Sequence, residues 1–168
     1  MSTLLNKNEG SAIVAPDLDA QGLRFGIVAA RWNSAFTEPM LESAINELLA
    51  NGCSEDEIVV TRVPGTVELT YAAALLSDDE DVDAVIVFGC VIRGDTPHFD
   101  YVCQSVTQGV AQLNARGEVP VIFGVLTVEN ERQALERVDG SLTDKGAEAA
   151  QAAIEMARLR EKYLFADV

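Results

Sequence analysis

Short apolar runs alternate along most of this chain with longer segments in which apolar residues recur at helical spacing. Four of the runs are rich in Val and Ile and, apart from Thr61 and Arg62, are apolar on both alternating faces. They cover Arg24–Ala30, Ile58–Val63, Ala84–Val91 and Val119–Leu126. Strands buried on both faces are typical of parallel sheets that helices cover. The pattern therefore predicts a sheet of four parallel strands.

The segments between these runs predict the helices that connect the strands. From Thr37 to Asn51 the apolar residues form one stripe, and Gly52 follows where a left-handed residue would end the helix. Further helices are predicted over Val67–Leu76, Pro97–Ala115, Glu131–Val138 and Thr143–Leu164. Strands that alternate with helices in this way form an α/β fold, a doubly wound sandwich with right-handed crossovers.

The first 22 residues do not share this pattern. We expect 1–22 to be a partly flexible N-terminal segment and 23–165 to form a single domain. Within the segment, Ser11–Ala15 is a candidate short strand that ends at Pro16. The backbone groups of an isolated strand need a partner, and a neighbouring subunit is one candidate.

Composition and charge narrow the classes of function. The chain has 168 residues, of which 48% are hydrophobic, and this is typical of a packed globule. It carries 12 Lys and Arg against 27 Asp and Glu, a net charge of −15, and the basic residues are scattered. Such a chain repels phosphate backbones and anionic lipid, so neither nucleic acid nor a membrane is expected as a partner. The single histidine excludes any mechanism or metal site that needs two.

Cysteine use and hydropathy indicate a cytoplasmic protein. Cys53, Cys90 and Cys103 are odd in number and far apart, and we interpret them as reduced residues that pack in the core. No apolar run approaches the roughly 18 residues that span a bilayer. The N-terminus also lacks the pattern of a secretory leader.

Ligands of open parallel sheets bind beyond the carboxyl ends of the strands, and this rule selects four loops. The loops are 31–33, 64–68, 92–98 and 127–130, and they contain the only Trp, Trp32, and the only His, His98. Thr96 as a cap and Pro97 as first helical residue predict a helix that opens at Thr96, whose free amides form an anion site. His98 would exchange protons with a substrate anchored there, or it is an ordinary surface histidine.

Other polar and aromatic residues near these loops have two interpretations each. Glu68 either complements the dipole of the next helix or accepts hydrogen bonds from ligand hydroxyls. Trp32 and Phe123 are either core residues or platforms for a planar heterocycle. Arg137 and Lys145 are either solvated charges or ligand anchors, and Arg93 is a further candidate for binding an anion. Dinucleotide, P-loop and Cys/His metal motifs are absent from the sequence, so no metal or cofactor is predicted.

Five stretches of this chain resemble the lumazine synthase family of riboflavin biosynthesis. They are Gly26–Asn33, Val63–Glu68, Gly89–Val102, Val121–Thr127 and Arg137–Gly146. The Arg-Gly-x-Thr-x-His-Phe segment from Arg93 to Phe99 is the most specific of them. The resemblance spans about Leu23 to Leu159 and implies a flavodoxin-like fold.

The resemblance also implies a reaction. In this family, 5-amino-6-(D-ribitylamino)uracil condenses with 3,4-dihydroxy-2-butanone 4-phosphate to form 6,7-dimethyl-8-ribityllumazine. An amine attacks the ketone to give a Schiff base, phosphate is eliminated, and ring closure completes the product with release of water. This is the penultimate step of riboflavin biosynthesis, and it uses no metal or redox cofactor.

The roles of the family's site residues carry over to matching positions in this sequence. Residues implied to hold the pyrimidine and its ribityl chain are Trp32, Thr66, Val67, Glu68, Cys90, Val91, Ile92 and Phe123. Residues implied to bind the phosphate are Asp95, Thr96, Arg137 and Lys145. His98 is implied as the proton donor and acceptor. Val67 stands where many members carry an aromatic side chain, so no stacking is expected at that position.

An oligomer follows from the same resemblance. Phe123, Arg137 and Lys145 are implied to act across a subunit boundary, which places active sites at subunit interfaces. The family forms homopentamers, some of which assemble further into decamers or icosahedral shells of sixty subunits. The link 139–144 is short, as in shell-forming members, but lacks their usual Lys and second Gly. Riboflavin synthase is a candidate protein partner.

Two other classes of protein remain as alternatives. One is a module that binds a flavin or nucleotide without turnover, and the other is a purely structural shell protein. A phosphoryl-accepting receiver would need clustered aspartates after the first strand, where this chain has Ala30, Arg31, Trp32 and Asn33.

Overall fold

A computed structural model describes residues 18–78 and 81–164, so the candidate strand at Ser11–Ala15 lies outside the described residues. The strands in this part of the chain are β1 (Phe25–Ala30), β2 (Ile58–Val63), β3 (Ala84–Ile92) and β4 (Val121–Val128). The α-helices are α1 (Ser34–Ala50), α2 (Leu69–Ser77), α3 (His98–Arg116), α4 (Glu131–Leu135) and α5 (Lys145–Leu164). A single 3₁₀ turn, Glu55–Glu57, precedes β2.

The strands form one parallel sheet in the order β2-β1-β3-β4. Alternate residues of β1 and β3 enter two separate cores. Ile27 and Phe88 pack with α1 and α5, whereas Val28 and Val87 pack with α2 and α3 on the opposite face. The predicted four-stranded, doubly wound α/β sandwich is therefore confirmed.

Strand β2 is less buried than its sequence pattern predicts. It lies at the edge of the sheet, and its residues from Ile58 to Thr61 are only partly covered. Its Arg62 is exposed and forms two hydrogen bonds with the Glu38 carboxylate, of 2.9 and 2.8 Å. An edge strand has a neighbour on one side only, and β2 is also covered less by helices than β4, the strand at the opposite edge.

Several helices begin or end at residues other than those predicted from the sequence. Helix α3 begins at His98 instead of Thr96, because Pro97 serves as its N-cap and the Thr96 hydroxyl only accepts a 3.4 Å hydrogen bond from the His98 amide. Helix α2 begins at Leu69, so Glu68 precedes its first turn. Helix α4 ends at Leu135, three residues before its predicted end. Gly52 is left-handed (φ 94°), as predicted.

The sequence predicts reduced cysteines that pack in the core and no segment that spans a membrane. Cys53 and Cys90 are buried, Cys103 is partly buried, and all three are free thiols, as expected. Among the described residues, no helix is both long and apolar enough to cross a bilayer.

Helices α1 and α5 pack closely at Gly146. A methyl group at this position would overlap the main-chain oxygen of Met40 and lie 2.8 Å from Cβ of Ser43. Gly146→Ala is therefore expected to destabilise the fold by about 1–3 kcal/mol, which exceeds the gain in helix propensity of at most about 1 kcal/mol. Urea unfolding of the two proteins measures the difference.

Gly94→Ala is the matched control for this change, because no atom lies within 4 Å of a Cβ at Gly94. Its free energy of unfolding should stay equal to that of the parent or rise by less than about 1 kcal/mol. Equal stability of both variants would show that the α1–α5 contact is not close.

Candidate active site

A cleft of about 510 Å³ lies at the carboxyl ends of β1, β2 and β3, within the volume range of small-molecule sites. Its lining comes from three strand-to-helix loops and the first turns of α3. The lining residues are Trp32, Asn33, Gly65, Thr66, Val67, Glu68, Cys90, Val91, Ile92, Gly94, Thr96, His98, Phe99 and Val102. We call it the first cleft. It brings together most of the residues predicted for the pyrimidine, together with Thr96 and His98.

The loop after β1 places Trp32 at the mouth of the first cleft. Main-chain hydrogen bonds from Arg31 to Val63 (2.8 Å) and from Trp32 to Pro64 (3.0 Å) join this loop to the end of β2. The Trp32 side chain is 74% exposed, so it is not a core residue. A large, open aromatic face beside a cleft is suited to stacking on a planar ring.

The loop after β2 forms one wall of the first cleft. Thr66 is buried against β3, where a Cβ at Gly89 would lie 2.8 Å from its hydroxyl oxygen, so this close packing requires glycine. Glu68 is exposed and makes no capping hydrogen bond to α2. Its carboxylate therefore remains available to accept hydrogen bonds in the cleft.

The loop after β3 carries His98 and a network of charges around Arg93. The Arg93 guanidinium binds Glu129 (2.9 Å) and Asp100 (3.2 Å), and it lies 4.0 Å from the centroid of the Phe99 ring. Hydrogen bonding to Glu129 is the main reason why the pKa of Arg93 is raised. Arg93, a further candidate from the sequence for binding an anion, is therefore already paired with two carboxylates in this structure.

His98 is the first residue of α3, and its side chain is exposed in the first cleft. Asp95 is also exposed and lies between two lining residues without lining the cleft itself. Cys90 lies opposite, buried, and burial raises the pKa of its thiol to about 12. The thiol is thus protonated at neutral pH and is not a thiolate nucleophile in this cleft.

Phe123, Arg137 and Lys145 do not reach the first cleft. They lie together in a second cleft of about 600 Å³ between β4 and α5. Phe123 is 41% exposed on β4. The Arg137 guanidinium donates a 2.7 Å hydrogen bond to the main-chain oxygen of Gln133, and Lys145 pairs with Glu148. The structure therefore divides the predicted site residues between two clefts.

Asn33 and Phe99 are lining residues to which the sequence pattern assigns no role. The left-handed conformation of Asn33 could have been predicted from the sequence, because Asn is enriched among the non-glycine residues that adopt positive φ. Phe99 follows His98 in the motif, but its contact with Arg93 is visible only in three dimensions. Within residues 18–78 and 81–164, no group of three or more His, Cys, Asp and Glu side chains is arranged to hold a metal ion.

The doubly wound sheet and the cleft beyond its strand ends define a class, the α/β proteins that bind a small molecule at the carboxyl edge of a parallel sheet. The sequence model of the 6,7-dimethyl-8-ribityllumazine synthase family matches residues 22–161. The chain belongs to this family, and it is an enzyme of riboflavin biosynthesis.

Several similar curated proteins are named 6,7-dimethyl-8-ribityllumazine synthase. The protein of Porphyromonas gingivalis is 59% identical over 137 residues, which cover 82% of this chain and 85% of the relative. That of Phocaeicola vulgatus is 50% identical over 144 residues, 86% of each chain. That of Aquifex aeolicus is 47% identical over 142 residues, 84% of this chain and 92% of the relative.

Proposed function

We propose that this protein condenses 5-amino-6-(D-ribitylamino)uracil with 3,4-dihydroxy-2-butanone 4-phosphate to form 6,7-dimethyl-8-ribityllumazine. Family membership over residues 22–161 supports the reaction. The observation in the structure that carries the proposal is the first cleft. It is lined by the exposed Trp32, by Glu68, whose side chain makes no capping hydrogen bond, and by His98, the only histidine of the chain.

The first cleft fits the pyrimidine and its ribityl chain. The Trp32 ring stacks on the heterocycle, and the main chain of Cys90, Val91 and Ile92 supplies hydrogen bonds to its edge. Glu68 accepts hydrogen bonds from ribityl hydroxyls, because its carboxylate is exposed and makes no cap contact. Thr66 and Val67 complete the wall beside it.

The ketone phosphate lies nearer His98. The Asp95 and Thr96 amides precede the N-terminus of α3, where helix geometry favours an anion. Arg137 and Lys145 add positive charge from the second cleft. Arg137 is the stronger candidate of the two, because its hydrogen bond goes to a neutral carbonyl whereas Lys145 is paired with a carboxylate.

The chain's contribution to the chemistry is positioning and proton transfer. Holding the amine against the ketone contributes on the order of 7–11 kcal/mol. His98 protonates the oxygen that leaves as water when the Schiff base forms, and it takes up a proton as phosphate is eliminated. Proton transfer of this kind contributes about 10²–10⁴-fold in rate.

The complete site requires a second subunit. Phe123, Arg137 and Lys145 of one subunit cover the first cleft of its neighbour, with Phe123 over the heterocycle and Arg137 on the phosphate. The pentamer is the expected unit, and sedimentation velocity distinguishes it from a monomer, a decamer or a sixty-subunit shell. We also propose that the protein is cytoplasmic and that riboflavin synthase is a candidate partner.

Product formation tests the proposed function directly. The purified protein should form 6,7-dimethyl-8-ribityllumazine from the two substrates faster than they react without it. A protein that binds the pyrimidine but yields no product above that background would instead be a binding module. A structural shell protein would neither bind the pyrimidine nor form product.

A further inference from the structure

The turn between β1 and α1 is built around a left-handed residue. Asn33 has φ 62° and ψ 39°, and it is the only non-glycine residue with positive φ among residues 18–78 and 81–164. Side chains other than Asn and Asp rarely adopt this conformation. An outlier of this kind that lines a ligand cleft points to a functional demand on the backbone.

The Asn33 side chain is directed to β3 instead of to its own helix. Asn33 is the N-cap residue of α1, but its side chain makes no capping hydrogen bond, which is the usual use of Asn at this position. Its Nδ2 instead donates a 2.8 Å hydrogen bond to the main-chain oxygen of Cys90. The β1–β3 pairing ends at Ala29 and Phe88, so this amide joins a residue four positions beyond the last pair on one side to a residue two positions beyond it on the other.

The turn is thus held on two sides. Main-chain bonds from Arg31 and Trp32 attach it to the end of β2, and the Asn33 amide attaches it to the end of β3. Trp32 lies between these attachments, and with a 74% exposed side chain it has little packing to orient it. The position of its ring therefore depends on the backbone of the turn.

We propose that Asn33 is a positioning residue for the pyrimidine, which sets the distance between the Trp32 ring and the Cys90 main chain. The proposal rests on the proposed function, because it takes these two groups as the stacking and hydrogen-bonding surfaces for that ring. The Cys90 carbonyl has two lone pairs. Asn33 occupies one and orients the carbonyl, and the other remains for an N–H of the pyrimidine.

Two variants separate the backbone from the amide. Asn33→Gly keeps the left-handed conformation and removes the donor, and its KM for the aminouracil should rise about fivefold. Asn33→Asp keeps the shape but turns a carboxylate oxygen toward the Cys90 carbonyl, so its KM should rise about tenfold or more. The KM for the ketone phosphate should change less than about twofold in both, because neither alters a charge-assisted contact to the phosphate.

Trp32 supplies a readout without turnover, since it is the only tryptophan in the chain. Titration with the aminouracil alone should quench its fluorescence, and the Kd from this titration should weaken in both variants by the same factors as KM. Absence of quenching and of product formation in the parent protein would refute the proposed function itself. Normal behaviour of the parent with unchanged KM and Kd in both variants would overturn only the role of Asn33.

Asn114 provides a matched control at the other end of the sheet. Its amide exchanges two hydrogen bonds of 2.8 Å with the main chain of Val121, at the start of β4. Asn114→Ala should lower the thermal midpoint without changing KM or Kd for the aminouracil. If the Asn33 variants behave in the same way, Asn33 is merely structural and the proposal is wrong. Should Asn33→Asp fail to fold, Asn33→Gly alone decides between these outcomes.

Discussion

His98→Ala is expected to lower kcat for lumazine formation about 10²–10⁴-fold, because it removes the group that we propose to transfer protons in the first cleft. The side chain is exposed and lies at the first residue of α3, so it contributes little to packing. The thermal midpoint and the quenching of Trp32 by the aminouracil should therefore stay close to those of the parent. Steady-state rates of the parent and the variant measure the effect.

Gln104→Ala is the control for this experiment, since Gln104 is exposed further along the same helix and does not line the first cleft. Its kcat should match that of the parent. If His98→Ala retains the parent's kcat, the ordinary surface histidine is the correct interpretation of this residue.

Arg137→Met is expected to raise KM for the ketone phosphate about 10- to 100-fold, the effect of losing one hydrogen bond between charged groups. The effect should be confined to this substrate, because Arg137 is proposed to contact the phosphate, whereas Phe123 of the same cleft is proposed to cover the pyrimidine. Initial rates with each substrate varied in turn separate the two KM values.

Arg132→Met removes a positive charge from α4, close to Arg137 in the sequence, and serves as the control. Arg132 is exposed and pairs with Glu136 on the protein surface, so its loss should leave both KM values unchanged. An equal loss of affinity for the aminouracil in Arg137→Met would contradict the role assigned to Arg137.

Much of the fold could be predicted because buried strands consist of consecutive apolar residues. Strands β1 and β3 are buried along almost their whole length, and uninterrupted apolar runs mark them. Strand β2 has a similar run but lies at an edge, and position in a sheet depends on which strands pair, not on local pattern. The start of α3 was misplaced for a local reason, since both Thr96 and Pro97 are acceptable at a helix N-terminus.

The sequence identifies which loops line the candidate site, but not the contacts between their residues. The rule for strand ends selects the loops with Trp32, Glu68 and His98, and the structure brings these three together. The ion pair between Arg93 and Glu129 could not be predicted from the sequence, because the two residues are 36 positions apart. The amide of Asn33 reaches Cys90 across 57 residues, and such contacts depend on the packing of strands.

We propose that each site combines His98 of one subunit with Arg137 of the next. Co-expression of His98→Ala and Arg137→Met chains tests it, because in mixed oligomers about a quarter of the sites should then carry both native residues. A second mixture, of the parent with the doubly changed chain, should also have about a quarter of its sites intact if sites are shared between neighbours. We therefore predict equal rates of lumazine formation in the two mixtures at limiting ketone phosphate. No restoration in the first mixture, with about half of the parent rate in the second, would show that each site lies within one chain and would contradict the account.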